Sequence, residues 1–342
     1  MTKKIILLFP IVNLNTSYHQ SLVEEFERNF LVKLSKHFVL FPILFNYLIF
    51  KPDLIHFDWF NMFYSHPSSR YKTYFKFFMF LVELYILKFL RVRIIVSLHN
   101  LRPHDSVWPF IDFKAFKILI KYSSIVRFFN FYTSRIGKRF FNIPKEKVVV
   151  FYENINRNSF EEQSFFNVPS TKKNIIIFGQ IRPYKCIFEF LSENRFFIQN
   201  NREKFNFYII GNSYDKSYFN TLDRFIIENS LDNVFLHNSF IPNNQVNSLI
   251  SKFDFVLSPS KRNFNSGVLA HCIHLKIPFI CKLQYGIEER MDQNKNYLFN
   301  TLDASVLNKL LNLSIKRSSL YNNKFPNNYD FSNFLSKRFS KC

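Results

Sequence analysis

Two cations follow an apolar run in the segment 174–190, which reads NIIIFGQIRPYKCIFEF. Arg182 can bind two phosphate oxygens at once, and Lys185 can act as a point charge toward the same anion. Pro183 stiffens the loop between them. Most of the 46 lysines and arginines must be solvated surface cations. The pair is therefore either part of an ordinary strand-to-helix turn or the floor of an anion-binding site.

A second segment suited to anions lies in the same half of the chain. It reads SPSKRNFNSGVLAH over 258–271 and leads from an apolar run into a helix that starts at Gly267. The first turn of a helix presents unpaired N–H groups and the positive end of the helix dipole. Two such segments at the same edge of one sheet favour the anion-binding interpretation of Arg182 and Lys185.

Glycine is scarce in this chain, which has five in 342 residues. Gly179 and Gly211 fall at predicted strand ends, and Gly267 falls at a helix start. Glycine after a strand is usually turn chemistry. Because glycine is so rare here, its placement also suggests positions at which the backbone comes close to a ligand.

Polar residues follow apolar runs in the first half as well. His99 comes directly after VRIIVSL and precedes Asn100. Strand-end loops are where sites form in open α/β sheets, so His99 either faces a ligand or simply closes its strand. Asn15, His104 and Asp105 are candidates of the same kind.

No pattern in the sequence predicts a metal site. By spacing, His56 and Asp58 could form a metal-binding or acid–base pair, but they alternate on one strand face without an evident third ligand. His271 and His274 lie at i and i+3 of one helix, but no HExxH pattern accompanies them. We therefore expect neither a metal nor another cofactor.

Strand-like runs alternate with helix-length segments along the whole chain, which is typical of parallel sheets in α/β domains. The predicted strands are 3–9, 52–57, 92–99, 124–129, 147–152, 174–179, 205–211, 233–238, 253–259 and 278–282. The predicted helices are 17–34, 71–91, 110–123, a short one after Ser134, 186–198, 216–229, 243–251 and 267–275.

The segment 156–173 is polar and lacks periodicity, so it is the predicted linker. It gives an N-terminal domain over 1–160, a C-terminal domain over 172–315, and a tail over 316–342 with one helix-like pattern. We expect the tail to pack back on the N-terminal domain. Two α/β domains of similar size predict a cleft between them.

The net charge of +21 predicts attraction to polyanions or to an anionic membrane surface. The cations are scattered, and no helix-turn-helix, zinc or RNA-binding signature is present, so we do not expect a nucleic-acid partner. The four cysteines form no CxxC pair, and the start MTKKIILLFPIVNLN has a short apolar core. A reducing cytoplasm is the expected compartment.

The predicted helix near 71–91 is rich in aromatic and basic residues. Its apolar segment, 74–90, is interrupted by Lys76, Glu83 and Lys88, so it falls short of a spanning helix. The same pattern fits either a helix lying in the membrane interface or a core helix of the first domain.

The order of these motifs resembles one family. FGQIRPYK, followed by NSGVLAHCIHLKIP, is similar to the nucleotide-sugar-binding half of GT-B glycosyltransferases of the group 1, or family 4, type used in bacterial surface polysaccharide assembly. FPIVNLNTSYHQSL, PDLIHFDWF and VSLHNLRPHD resemble strand-end loops of the other half. The resemblance covers nearly the whole chain and implies two Rossmann-like domains that face a central cleft.

The resemblance also implies roles for individual residues. Arg182 and Lys185 match the cations that hold the donor diphosphate. The turn Asn265, Ser266, Gly267 and Val268 matches the loop that binds phosphate and sugar through backbone N–H groups. The resemblance places His99 at the cleft, near the transferred sugar or the acceptor hydroxyl, and Asn15 would face the reacting sugar. Asn100, Gly179 and Gly211 are further candidate substrate-binding residues.

Many members of the family carry two glutamates eight positions apart at the sugar and ribose. Here those positions hold Asn263 and His271. The change indicates either a variant donor site or reduced activity. His271 either hydrogen-bonds a ribose or packs in the interior.

The expected protein is thus a glycosyltransferase, and the resemblance alone implies that it retains the anomeric configuration of the sugar. It would move a sugar from a nucleoside-diphosphate sugar to a growing lipid-linked glycan of a capsule, O-antigen or exopolysaccharide. It would lie on the inner face of the cell membrane. The alternatives are a nucleotide-sugar epimerase on the same scaffold and a nucleotide-sugar-binding partner without activity in a glycan assembly complex.

Overall fold

The protein was analysed as a computed structural model that describes residues 3–10, 17–101, 107–153, 168, 171–260, 266–284, 286–291, 298–312 and 328–339. The chain forms two compact units. One comprises Met1–Asn154 and Lys324–Cys342, and the other Ile155–Asn323.

The first unit contains a six-stranded parallel sheet. Its strands are β1 (Ile5–Phe9), β2 (Leu31–Leu34), β3 (Leu54–Phe57), β4 (Arg93–Leu98), β5 (Ile125–Phe128) and β6 (Val148–Val150), in the order β2-β1-β3-β4-β5-β6. Its helices are α1 (Ser17–Glu27), α2 (Pro42–Phe50), α3 (Asn61–Tyr64), α4 (Arg70–Phe89), α5 (Pro109–Tyr122) and α6 (Phe131–Phe141). The central strands are almost entirely buried and mostly apolar because helices cover both faces of the sheet, with His56, Ser97 and Arg127 as buried exceptions.

The second unit repeats this architecture. Its strands are β7 (Lys173–Phe178), β8 (Phe205–Gly211), β9 (Val234–Asn238), β10 (Phe255–Ser258), β11 (Phe279–Lys282) and β12 (Leu298–Phe299), in the order β12-β11-β10-β7-β8-β9. Its helices are α7 (Ile187–Asn200), α8 (Lys216–Glu228), α9 (Asn243–Ser251), α10 (Gly267–Leu275) and α11 (Ala304–Asn312). All the strand pairs are parallel, as the alternating pattern predicts.

The helix predicted over 17–34 is wrong in its second half. Helix α1 ends at Glu27, and the chain turns so that the Leu31 N–H donates to the Lys4 carbonyl at 2.9 Å. Strand β2 then pairs with β1. It is an edge strand whose residues are exposed or half-buried, so it lacks the continuous apolar run that identifies the central strands.

A last helix, α12 (Asn328–Phe339), packs against α1 within the first unit. The Glu25 carboxylate accepts from the Ser332 N–H at 2.8 Å, and the Asn29 side chain donates to the Ser332 hydroxyl at 2.8 Å. The Lys4 ammonium donates to the Phe339 carbonyl. The buried Phe331 ring covers the Arg127 guanidinium, 4.6 Å from the ring centre.

Burial raises the pKa of Glu25 to about 8, against the opposing charge of Arg127 and the Ser332 hydrogen bond. A carboxyl whose folded pKa is raised favours folding below its ordinary pKa. That contribution is lost as the pH rises from about 4.5 to 8. The contact between α1 and α12 is therefore strongest in mildly acidic solution.

Replacing Phe331 with alanine should lower the free energy of unfolding of the first unit by about 3–5 kcal/mol, because it leaves a cavity and exposes Arg127. Both tryptophans, Trp59 and Trp108, lie in this unit. Urea unfolding followed by tryptophan fluorescence therefore measures this unit alone. The control is Phe78→Ala, whose ring is exposed; its effect should stay within about 0.5 kcal/mol. Equal effects of the two changes would contradict the packing described here.

Candidate functional site

The strand order of each unit defines where a ligand would bind. In the second unit the chain runs from β7 to β8 and β9 on one side, and returns on the other side of β7 with β10. The loops after β7 and β10 therefore diverge at the carboxyl edge, which leaves a crevice between them. The segments containing Arg182, Lys185 and Ser266 follow these two strands.

Two glycines hold the loop after β7 in place. A Cβ on Gly211 would lie 1.9 Å from the Gly179 carbonyl oxygen, so only glycine allows this backbone contact. Gly179 has a φ of 105°, and its N–H donates to the Ile210 carbonyl at 3.1 Å. A Cβ on Gly179 would lie 2.7 Å from the Lys185 Nζ. Both glycines therefore meet a need of the protein's own packing, and their placement alone does not require a ligand.

The Lys185 ammonium occupies the space that Gly179 leaves. Its Nζ donates to the Phe178 carbonyl at 3.2 Å. Burial, followed by repulsion from Arg182, lowers the pKa of Lys185 to about 8. Burial and the nearby Arg182 charge both disfavour an ammonium group at this position. An anion bound beside Lys185 would offset both unfavourable effects. Arg182 is half-buried on the same loop, and its guanidinium lies 6.0 Å from the Tyr214 ring centre.

The start of α10 completes this cluster. The position of a Cβ on Gly179 lies 3.9 Å from the Val268 side chain, so the first turn of α10 is next to the Lys185 loop. Ser266 caps the helix by accepting from the Leu269 N–H at 3.3 Å. The N–H groups of Gly267 and Val268 precede the first intrahelical bonds and add partial positive charge beside Lys185. The structure thus brings five of the predicted donor-site residues together: Gly179, Lys185, Gly211, Gly267 and Val268.

His271 lies in the interior of the second unit. Its side chain is buried, with Nδ1 2.7 Å from the Asn247 Oδ1. Burial, with a smaller contribution from His274, lowers the pKa of His271 to about 3, so it is neutral at physiological pH. Of the two alternatives that the sequence left open, the geometry describes the packed one. The predicted Asn15, His104, Asp105, Asn263 and Asn265 lie outside the described residues.

The first unit has a polar cluster around Asp58, at the carboxyl edge of its own sheet. The Asp58 Oδ1 lies 2.9 Å from the His99 Nε2, and the Tyr18 hydroxyl donates to both Asp58 oxygens at 3.0 and 3.1 Å. Burial opposes ionisation of Asp58, but the neighbouring imidazoles, above all His56 and His99, outweigh it and lower the pKa to about 2. Burial, reinforced by the Asp58 charge, raises the pKa of Tyr18, so its hydroxyl stays protonated as a donor.

Aromatic rings fix the orientation of His99. Its imidazole stacks between Trp59, at 4.1 Å, and Phe129, at 4.2 Å. Phe129 in turn covers the Arg127 guanidinium at 4.5 Å, and Phe331 of α12 also covers it, at 4.6 Å. His99 is therefore a rigid, oriented imidazole whose Nε2 is paired with a carboxylate. An imidazole in this arrangement can bind a hydroxyl or act as a general base.

The other candidate residues of the first unit, His56 and Asn100, are not described as stacked between rings and paired with a carboxylate in the way that His99 is. His56 is buried, and its Nε2 shares a 2.8 Å hydrogen bond with the Ser97 hydroxyl. Burial lowers the pKa of His56 to about 4, although the Asp58 charge opposes that shift. Asn100 is half-buried beside His99 in sequence. Within the described residues, no group of three or more histidine, cysteine, aspartate or glutamate side chains could hold a metal ion.

Tyr18, Trp59 and Phe129 are members of the His99 cluster that the sequence reasoning missed. Trp59 and Phe129 follow β3 and β5 closely, at the same sheet edge as His99 after β4. The rule that ligands bind beyond the carboxyl ends of parallel strands could have identified both positions. Tyr18 lies in α1 and carries no comparable signal.

Two parallel six-stranded sheets with surrounding helices give this chain the GT-B fold. The structure resembles HepE from Anabaena in complex with UDP and glucose, with a TM-score of 0.65 and 12% sequence identity over 99% of this chain and 100% of that chain. It also resembles a glycosyltransferase from Rickettsia africae (TM-score 0.60, 14% identity, 99% and 93% covered). A third similar structure is sucrose-phosphate synthase from Thermosynechococcus elongatus (TM-score 0.67, 11% identity, 98% and 94% covered). No family model and no curated protein matches the sequence.

Replacing Lys185 with methionine should leave the stability of the second unit at pH 7 unchanged or higher, because it removes a charge that folding partly buries and places near Arg182. In the wild type the folded pKa is lowered, so stability should rise between pH 8 and 10.5, where only the unfolded state keeps the proton. This rise should be absent from the variant. Because both tryptophans lie in the first unit, the rise should appear in the unfolding followed by far-UV circular dichroism, which reports both units, and not in the unfolding followed by tryptophan fluorescence.

The matched control for this measurement is Lys216→Met, at an exposed lysine of α8. It should retain the wild-type dependence on pH. A marked loss of stability in Lys185→Met at pH 7 would instead show that Lys185 is a structural residue.

Proposed function

We propose that this protein is a glycosyltransferase that uses a nucleoside-diphosphate sugar. The observation that carries the proposal is the Lys185 ammonium, which is held against Gly179 beside the first turn of α10. A glycosyl–phosphate bond breaks with negative charge building on the departing diphosphate. A fixed cation and helix N–H groups at one point can stabilise that charge without a metal. Arg182, on the same loop, supplies the second cation.

Structures with the same fold support this choice of ligand. HepE has been crystallised with UDP and glucose and also with UDP-glucose. The motif resemblance points to the same donor class. We further propose that the transfer retains the anomeric configuration, which the resemblance implies and which NMR of the product would establish.

The first unit is proposed to take the acceptor, a lipid-linked glycan of a bacterial surface polysaccharide. The His99 imidazole, oriented by Asp58, would bind or deprotonate the acceptor hydroxyl or contact the transferred sugar. The exposed aromatic residues of α4 would rest on the inner face of the cell membrane. Among the described helices, none has the length and apolarity needed to cross a bilayer.

A direct test of the donor site is the thermal stability of the second unit in the presence of UDP-, GDP-, ADP- and CMP-sugars. A bound nucleotide should raise its melting temperature by mass action. Arg182→Ala and Lys185→Ala should remove the increase, whereas Lys216→Ala should keep it. If no nucleotide stabilises the wild type, or if the two variants respond like the wild type, the donor site is wrongly assigned.

The same site predicts how nucleotide affinity depends on pH. With a pKa of about 8 for Lys185, the ammonium is lost above that pH, while the phosphates of UDP are already ionised because their last pKa is near 6. The affinity for UDP should therefore fall by about tenfold between pH 7 and pH 9. Lys185→Ala should bind weakly at both values. Calorimetric titration measures this, and an equal fall in the variant would assign the effect to another group.

Turnover tests the role of the first unit. His99→Ala should lower kcat for sugar transfer from the matching nucleotide-sugar to a membrane lipid extract by about 10²–10⁴-fold, the usual contribution of an acid–base group. Asp58→Asn should also lower kcat, because the imidazole loses its orienting carboxylate. Both variants should keep the nucleotide-induced stabilisation of the second unit. Nucleotide binding by the wild type without any transfer would instead identify a binding protein without activity.

A further inference from the structure

The first unit contains a cavity away from the His99 cluster. It has a volume of about 230 Å³ and lies between the segment 35–42, the end of β1, and helices α3 and α4. Its walls are mostly apolar, with Phe9 and Glu83 buried at the floor. Pockets for drug-sized ligands are larger, about 300–1,000 Å³. Because its mostly apolar walls offer few hydrogen-bond partners, the cavity suits a short length of hydrocarbon chain rather than a sugar or a nucleotide.

Buried polar groups hold this cavity in shape. The Asn46 side chain accepts from the Lys36 N–H at 2.6 Å and donates to the Lys36 and Pro42 carbonyls at 2.8 and 2.6 Å. The Glu83 carboxylate accepts from the Ile43 and Leu44 N–H groups at 2.7 and 2.9 Å, and so caps α2. These contacts fix both ends of the wall segment. The cavity is therefore preformed.

The backbone of this wall is strained at Phe41. Its φ of 47° and ψ of 49° lie in the left-handed region, which a bulky residue rarely adopts. Strain of this kind persists where surrounding structure imposes it and is concentrated at ligand sites. Phe41 lines the cavity.

Exposed apolar side chains occur in the cavity lining, at Val39, Leu40 and Phe75, and elsewhere on helices α2 and α4. Val39 is 87% exposed, and Leu40 beside it is also exposed. Helix α4 presents an exposed stripe at helical spacing, whose members are Tyr71, Tyr74, Phe75 and Phe78. Helix α2 adds three more exposed apolar side chains, Phe45, Leu48 and Ile49. Soluble proteins rarely expose apolar residues in such density unless the surface has a partner.

Basic side chains are also among the residues that line the cavity. Lys36 and His37 are exposed on the wall segment, and Lys76 of α4 is half-buried. The single carboxylate among the lining residues, Glu83, is occupied by the two N–H groups of α2. The rim therefore complements an anionic head group joined to an apolar chain.

We propose that this cavity binds the hydrocarbon chain of a lipid phosphate, with the phosphate at Lys36 and the exposed stripe of α4 against the membrane surface. The proposal deepens the proposed function, because it assigns a site to the lipid of the acceptor. Only the identification of the bound lipid as the acceptor rests on the proposed function. Binding of the lipid phosphate itself requires no sugar donor.

The test uses the full chain and farnesyl phosphate below its aggregation concentration, with the affinity measured by calorimetric titration. We expect binding by the wild type, several-fold weaker binding of farnesol, and no binding of inorganic phosphate at the same concentration. Met79→Trp fills the cavity without changing charge and should weaken binding of farnesyl phosphate at least tenfold. Lys36→Gln should weaken it about threefold, while Lys216→Gln, at an exposed lysine of the other unit, should not.

A second variant guards against misfolding. Phe75→Gln changes an exposed rim residue, so the unit should stay folded, as tryptophan fluorescence would show, and should bind farnesyl phosphate several-fold more weakly. The proposal is overturned if the wild type does not bind farnesyl phosphate, if Met79→Trp and Phe75→Gln both bind it like the wild type, or if inorganic phosphate binds equally well.

Stabilisation of the second unit by a nucleotide-sugar is measured separately. Failure of lipid binding with that stabilisation intact would remove this inference and leave the donor site standing, and the converse would remove the donor site alone.

Discussion

The contact between the backbones at Gly211 and Gly179 is the constraint on which the second unit's site depends. No side chain fits at Gly211, because its Cβ would meet the Gly179 carbonyl oxygen at 1.9 Å. The contact holds the loop after β7 against the end of β8. That loop then carries Lys185 back under Gly179, beside the start of α10. A cation that burial disfavours is thus positioned by two residues that have no side chain.

In the first unit, stacked side chains position the candidate site. Phe331, Arg127, Phe129, His99 and Trp59 form one continuous stack, in which each planar group lies 4.1–4.6 Å from the next ring centre. The stack begins in α12, at the far end of the chain. The C-terminal helix therefore supports the candidate site although it contributes no residue to it. Its anchor at Glu25 is itself a buried carboxyl, so the support has a dependence on pH of its own.

Much of the fold could be predicted from the sequence because buried parallel strands are continuous apolar runs. Ten strands and their order along the chain follow from that pattern. Strands β2 and β12 were not predicted, because the short apolar pattern of β2 is interrupted by Lys33 and β12 has only two residues. The proximity of the Lys185 loop to the start of α10 could be predicted because both segments follow strands. The Phe129 and Tyr18 contacts to His99 were not predicted, because they depend on how rings from separate elements meet.

The two candidate sites differ in the sign of their charge. In the second unit, Lys185 and Arg182 share a loop next to helix N–H groups, so positive charge accumulates there. In the first unit, Asp58 remains ionised while His56 is neutral, and Tyr18 and His99 share its oxygens. A diphosphate is attracted to the former arrangement, and a neutral hydroxyl that must lose a proton suits the latter. The electrostatics of the two units are thus the ones that the proposed glycosyl transfer would require, with the diphosphate in the second unit and the acceptor hydroxyl in the first.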